Sequence, residues 1–233
     1  MCDSKILDKI FENFPQREYR KGQIILHQGD PISRYHRIIK GYIKVYTISD
    51  SGQEHTVLIL GPGFLFPVIA LIDKTHAHVE SYLASEHDYR ARYFYESLTD
   101  VVVKLADRQK IIDALSADPK FVSAGLNYMA CVFTILLNRL ELLESPRSLD
   151  KLHLLLEYLT KAAGTPIKRG VFRLDLKLSH QELANLVGLT RETTSIQLGQ
   201  MEKAGVIRIN DGYLEINTAK LQTPETSKAD SGI

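Results

Sequence analysis

"LSHQELANLVGLTRETTSIQLGQMEKAGVI", Leu178 to Ile207, places two short helical patterns end to end around a glycine. Ser179, followed three residues later by Glu182, makes a capping box. The spacing therefore predicts a helix that ends near Gly188, a residue suited to a left-handed C-terminal position. Thr190 can cap a second helix from Arg191 to about Ala204, with Glu192 in its first turn and Gly205 at its end. Leu183, Leu186, Val187, Leu189, Leu198 and Met201 supply a shared core. Thr194 adds to the polar character of the second helix, and Arg191, Glu192, Ser195, Ile196 and Gly199 are left on an outward face near its start. That is the geometry of a helix-turn-helix, whose second helix offers its N-terminal residues to the major groove.

The side chains suit that geometry. Arg191 can donate a bidentate pair to guanine O6 and N7, and Glu192 can accept from a cytosine amino group. Thr190, Thr193 and the helix N-terminus can bind phosphate. An αα-hairpin with solvated charges would share the helical spacing, but a hairpin pattern follows where a wing would lie. "VIRINDGYLEI" reads as two strands turning through Asn210-Asp211-Gly212, residues that tolerate positive φ.

Outward from this stretch, the chain of 233 residues has 44% hydrophobic and 24% charged residues, the composition of one large or two modest globular domains. A net charge of +1 means that nucleic-acid binding must rest on a local arrangement. The apolar run "MACVFTILL" is too short to cross a bilayer, and the N-terminus mixes acids with bases, so the expectation is a cytoplasmic protein without a membrane partner. Two separated cysteines, Cys2 and Cys131, build neither a disulfide framework nor a four-thiolate metal site; they read as a terminal thiol and a helix-packing residue.

From Tyr19 to about Leu105, short alternating strands are punctuated by turn residues at intervals of roughly ten, as in an all-β roll, barrel or sandwich. A short N-terminal helix, "SKILDKIFENF", would pack on it. A long helical pattern spans about Asp107 to Glu144, with Leu126, Met129, Phe133, Leu136, Leu140 and Leu143 spaced 3, 4, 3, 4, 3 as a coiled-coil seam. Cys131, Ile135 and Leu142 make a second apolar stripe, so one stripe can face the β unit and the other a partner chain. "ESPRSLD" breaks the pattern at Pro146 and Ser148, a hinge between domains; a helix "SLDKLHLLLEYLTKAAG" and a strand "VFRLDLKLS" follow. The expected fold is α+β: a jelly-roll-like antiparallel β-roll over 1–106, a dimerisation helix over 107–145, a winged helix-turn-helix over 146–217 and a flexible tail over 218–233.

The whole chain resembles regulators of the Crp/Fnr superfamily. The opening stretch is similar to the family's recognition motif, in which the arginine and glutamate after the capping Ser/Thr read bases; these are Arg191 and Glu192 here. "YRKGQIILHQGDPISRYHRIIKGYIKVYTISDSGQEHTVLILGPGFLF" looks like the family's effector roll, including Gly22, Gly29, Gly41, Gly52, Gly61 and Gly63. The resemblance implies a transcription regulator rather than an enzyme, dimeric on the long helix, bound to two half-sites of duplex DNA, with RNA polymerase as a further candidate partner.

Two departures stand out. The family's second base-reading arginine, four residues after its motif glutamate, is Ile196 here; it can touch a thymine methyl but cannot pair with guanine. Cyclic-nucleotide-binding members carry a Gly-Glu pair for ribose and an Arg-Ser or Arg-Thr pair for phosphate. Here Pro67 stands where the second glycine would be, and neither Arg90 nor Arg92 precedes Ser or Thr, so cyclic AMP is not expected to bind and the effector is unidentified.

"HAHVE", His76 to Glu80, invites a metal or haem reading, since alternating histidines on a strand share a face; a solvated or core pair is the simpler reading, and no cofactor is predicted. "SEHDY", Ser85 to Tyr89, sets acid beside base without a nucleophile. Lys168, Arg169 and Arg173 read equally as phosphate contacts or as solvated charges. Two functions compete: a homodimeric, sequence-specific DNA-binding regulator, and a small-molecule, haem or redox sensor whose output is mainly protein contact.

Overall fold

The structure is a computed structural model that describes residues 5–67 and 90–221. The histidine pair His76 and His78, Glu80, "SEHDY" and the tail beyond Leu221 lie outside the described residues. The chain forms two compact units divided between Thr134 and Ile135, within the long helix.

The first unit is a roll of two antiparallel four-stranded sheets. One pairs β1 (Gln16–Tyr19), β8 (Val101–Asp107), β3 (Arg34–Lys40) and β6 (Leu65–Phe66) in that order; the other pairs β2 (Ile24–Leu26), β7 (Phe94–Ser97), β4 (Ile43–Ile48) and β5 (Glu54–Leu60). Their inward residues, among them Tyr35, Ile38, Ile43, Val45, Phe66 and Val103, form the core. Gly41 turns β3 into β4 at φ 87°, and a Cβ there would lie 2.2 Å from the Asp100 carbonyl oxygen, so only glycine fits.

Helix α1 (Lys5–Phe11) does pack on the roll, burying Leu7 and Phe11. Arg37, fully buried on β3, holds it there: its Nε and Nη2 donate to Asp8 Oδ1 at 2.9 and 2.6 Å, and Nη1 donates to the Gly63 carbonyl. The Asp8 carboxylate compensates a charge that burial would otherwise make costly.

The single helical pattern expected from Asp107 to Glu144 is two helices, α2 (Arg108–Ala117) and α3 (Pro119–Glu144). The cause is Pro119, which drives Asp118 to extended φ −139°, ψ 125°; Asp118 then accepts from Lys120 N–H at 2.8 Å and caps α3. Ala124, Tyr128, Val132, Arg139 and Leu142 make the buried stripe of α3, with Ile135 half-buried among them. Tyr128 is anchored by its hydroxyl, which accepts from Leu65 N–H at 2.9 Å and donates to Leu65 O at 3.0 Å; burial pushes its pKa up to about 12. Cys131, expected to be a plain packing residue, is half-buried and disulfide-bonded.

The six seam residues lie on the opposite, exposed face, with Leu126 67% and Phe133 62% exposed and Leu137 beside them. At 26 residues, α3 is long and apolar enough by length and composition to cross a membrane, which the shorter run within it is not.

In the second unit, α4 (Ser148–Ala163) buries Leu152, Leu155, Leu156, Leu159 and Ala163 at helical spacing. Its sheet runs β11 (Ile207–Asn210), β12 (Tyr213–Asn217), β10 (Val171–Leu174), β9 (Gly164–Lys168), all antiparallel. Strand β9 is absent from the sequence reading. Pro166 argues against a strand, and is tolerated because β9 is an edge. The strand expected over Val171 to Ser179 stops at Leu174, where Asp175 instead donates its N–H to Ala163 O and accepts from the Thr165 hydroxyl at 2.7 Å.

Candidate DNA interface

Helix α5 (His180–Val187) starts with the capping box in full: Glu182 N–H donates to Ser179 Oγ at 3.2 Å, and Ser179 N–H donates to Glu182 Oε2 at 2.6 Å. It ends at Gly188, at φ 66°, ψ 36°, whose N–H donates to Ala184 O. Two residues on, Thr190 caps α6 (Arg191–Lys203) by accepting from Thr193 N–H at 3.1 Å. Leu183, Ala184, Leu186, Val187, Leu198 and Met201 close the core between the helices, with Leu189 half-buried.

Thr194 is fully buried, so it belongs to the core side of α6 and not to its polar face. Arg191 and Glu192 are exposed in the first turn, and Ile196 is 62% exposed one turn further on. A Cβ at Gly199 would meet nothing within 4 Å, so that end of the face is open.

The hydroxyl groups divide by role. Thr190 Oγ1 donates to Thr193 Oγ1 at 3.0 Å, which uses the Thr190 proton and leaves the Thr193 proton free to donate outward. Ser195 is committed inward: its Oγ donates to Arg191 O at 2.8 Å and lies 2.8 Å from His180 Nδ1. When the hydroxyl proton goes to Arg191 O, His180 Nδ1 is the donor to Ser195 Oγ. Sequence reasoning assigned Ser195 to the outward face and passed over His180. The two are fifteen residues apart, and only the folded turn joins them.

The hairpin after α6 has a two-residue turn with Asp211 at φ 50° and Gly212 at φ 79°, as the Asn-Asp-Gly pattern predicts. Tyr213 on this wing lies under two cations, with Lys177 Nζ 4.7 Å and Arg173 Cζ 5.4 Å from its ring centroid. Lys168 and Arg169 are exposed at the β9–β10 turn. In the sheet order β9 is the edge strand opposite β11, with β10 and β12 between them.

Comparisons with known proteins agree with this architecture. Residues 152–223 match the profile of the Crp-like helix-turn-helix domain, and residues 16–87 match that of the cyclic nucleotide-binding domain. The chain belongs to the Crp/Fnr family. The global nitrogen regulator of Synechocystis sp. is 26% identical over 216 residues, covering 92% of this chain and 87% of that protein. The cyclic AMP receptor protein of Thermus thermophilus is 26% identical over 215 residues, covering 92% and 89%. Among solved structures, FixK2 from Bradyrhizobium japonicum shares the fold with TM-score 0.72 at 18% identity, covering 89% of this chain and 95% of that one. The chain is thus a Crp/Fnr-type transcription regulator with a helix-turn-helix DNA-binding domain.

Proposed function

We propose that this Crp/Fnr-type regulator acts in the cytoplasm as a homodimer that reads a two-fold symmetric operator and does so without cyclic AMP. The observation that carries base reading is the exposure of Arg191, Glu192 and Ile196 on the first turns of a helix capped by Thr190. Arg191 takes guanine, Glu192 takes a cytosine amino group, and Ile196 takes a thymine methyl. Thr193, Lys168 and Arg169 contact phosphate, Thr190 holds the start of the helix as its cap, and Ser195 supports the turn from within. RNA polymerase is the further partner of a regulator of this kind.

The dimer rests on the exposed stripe Leu126, Met129, Phe133, Leu136, Leu140 and Leu143 of α3, an apolar face that a lone chain would leave in water. Independence from cyclic AMP rests on the missing glycine–glutamate and arginine–hydroxyl pairs. It is supported by Arg90, whose Nη1 donates to the Gly29 carbonyl at 2.8 Å. Pro67 is buried where a ribose-holding segment would begin.

Protein-contact output is the competing reading, favoured by the apolar Ile196 in the middle of the polar face. Binding of selected duplex DNA at several salt concentrations separates the two. Phosphate neutralisation makes the affinity fall steeply as salt rises, and Arg191→Ala should cost about 1–3 kcal/mol per half-site while relaxing one guanine preference. Salt-insensitive binding, or Arg191→Ala without effect, would favour protein contact. Titration calorimetry with cyclic AMP tests the rest: saturable micromolar binding lost in Arg90→Ala would overturn that part of the proposal.

A further inference from the structure

The exposed seam of α3 has a polar counterpart on its other face. Arg139 is 5% exposed, although it lies between Leu136, Leu137, Leu140 and Leu143, each of which is more than 40% exposed. Its Nη2 donates at 2.5 Å to the carbonyl of Leu186, the penultimate residue of α5. Carbonyls in the last turn of a helix have no partner within the helix and carry the negative end of its dipole, so a guanidinium is a well-matched cap.

Leu143 lies beside the same turn, its Cδ2 4.0 Å from where a Cβ on Gly188 would stand. A further hydrogen bond fixes the end of α3, because Lys151 Nζ on α4 donates to Leu143 O at 2.8 Å. The last two turns of α3 are therefore attached to the turn that launches α6, while their outer face carries Leu136, Leu140 and Leu143.

Burying a guanidinium is costly, and burial lowers its pKa from the ordinary value, with Tyr158 opposing. An apolar side chain of similar length would fill the volume without that cost. What it could not supply is direction: a planar donor accepts few arrangements of its carbonyl, whereas apolar packing slides. We propose that Arg139 is a positioning residue of the DNA interface, fixing the angle between the seam of α3 and the helix-turn-helix and thereby setting the spacing of the two half-sites. The inference rests on the dimeric, operator-reading function proposed above.

The test uses the full chain and duplexes carrying two inverted copies of the half-site that the wild-type protein selects from random DNA. The separation of the copies is varied one base pair at a time. Each added pair moves a half-site by about 3.4 Å and turns it by about 35°, which a rigid mount cannot follow. The wild-type protein should lose about tenfold in affinity one pair away from its best spacing. Arg139→Met should bind its best site more weakly yet lose under about threefold for the same shift, with the base preference intact. Arg139→Lys, which keeps the charge but not the planar fork, should fall between them, and it serves if the methionine variant does not fold.

An arginine needed only for stability would lower affinity equally at every spacing. Parallel spacing profiles for wild type and variants, with thermal unfolding intact, therefore overturn the inference alone. A wild-type protein that selects no paired half-sites overturns the operator reading and this inference with it.

Discussion

Acidification should destabilise the β-roll through one residue, His36. The imidazole is buried on β3, stacked on Phe66 with centroids 4.5 Å apart and planes 11° from parallel, and Nδ1 has no hydrogen-bond partner. Burial lowers its pKa from 6.5 to about 4; a backbone hydrogen bond to Phe66 opposes the shift, and the charges of Arg17 and Arg34 add to it. The folded state thus holds the neutral ring while the unfolded chain takes up a proton below pH 6.5. This contribution is whole above pH 6.5 and is lost as pH falls to about 4. A shift of roughly 2.5 units at 1.36 kcal/mol each amounts to about 3 kcal/mol.

His36→Phe keeps a ring against Phe66 and removes the titration. Urea unfolding followed by near-ultraviolet dichroism of the tyrosines, in a chain with no tryptophan, should be run between pH 7 and pH 4. Carboxylate effects are common to both proteins and cancel in the difference. The variant should gain about 3 kcal/mol on the wild type across that range, at no more than 1.4 kcal/mol per pH unit. A difference that stays constant with pH would refute the reasoning.

Charge in the seam should split the dimer: Leu136→Glu should sediment as a folded monomer and bind DNA more weakly, and a dimeric mass would put the interface elsewhere. Ser195→Ala should leave the selected operator sequence unchanged while lowering affinity, because its hydroxyl is spent on Arg191 O and His180; a changed consensus would return Ser195 to base reading. Ile196→Arg should add a guanine preference beside the Arg191 position in the selected sites, and an unaltered preference would mean that this side chain does not reach base edges.

Features set by local chemistry were legible in the sequence. The capping box of Ser179 and Glu182, the left-handed Gly188, the Thr190 cap and the Asp211-Gly212 turn all depend on residues within a few positions of one another, and all are present. The seam of α3 was legible from spacing, since an exposed apolar stripe has the same period as a buried one.

What escaped depends on distant partners. The burial of Arg139 within a leucine-rich helix has no local signal, since its Nη2 donates to the carbonyl of Leu186, 47 residues away. His180 reads as a surface residue until α6 brings Ser195 to it. Strand β9 was hidden by Pro166, which is excluded from central strands but not from this edge. Pro119, by contrast, was a local signal that the long apolar pattern masked: it sits at the first position of a new helix, where proline is favoured.

The most direct test of the central claim is to select binding sites from random duplexes with purified wild-type protein and with Arg191→Ala. The wild-type protein should select a two-fold symmetric consensus, with a guanine at one position of each half-site that Arg191→Ala no longer prefers. Selection of no consensus, or of the same consensus by both proteins, would contradict base reading by the helix that begins at Arg191.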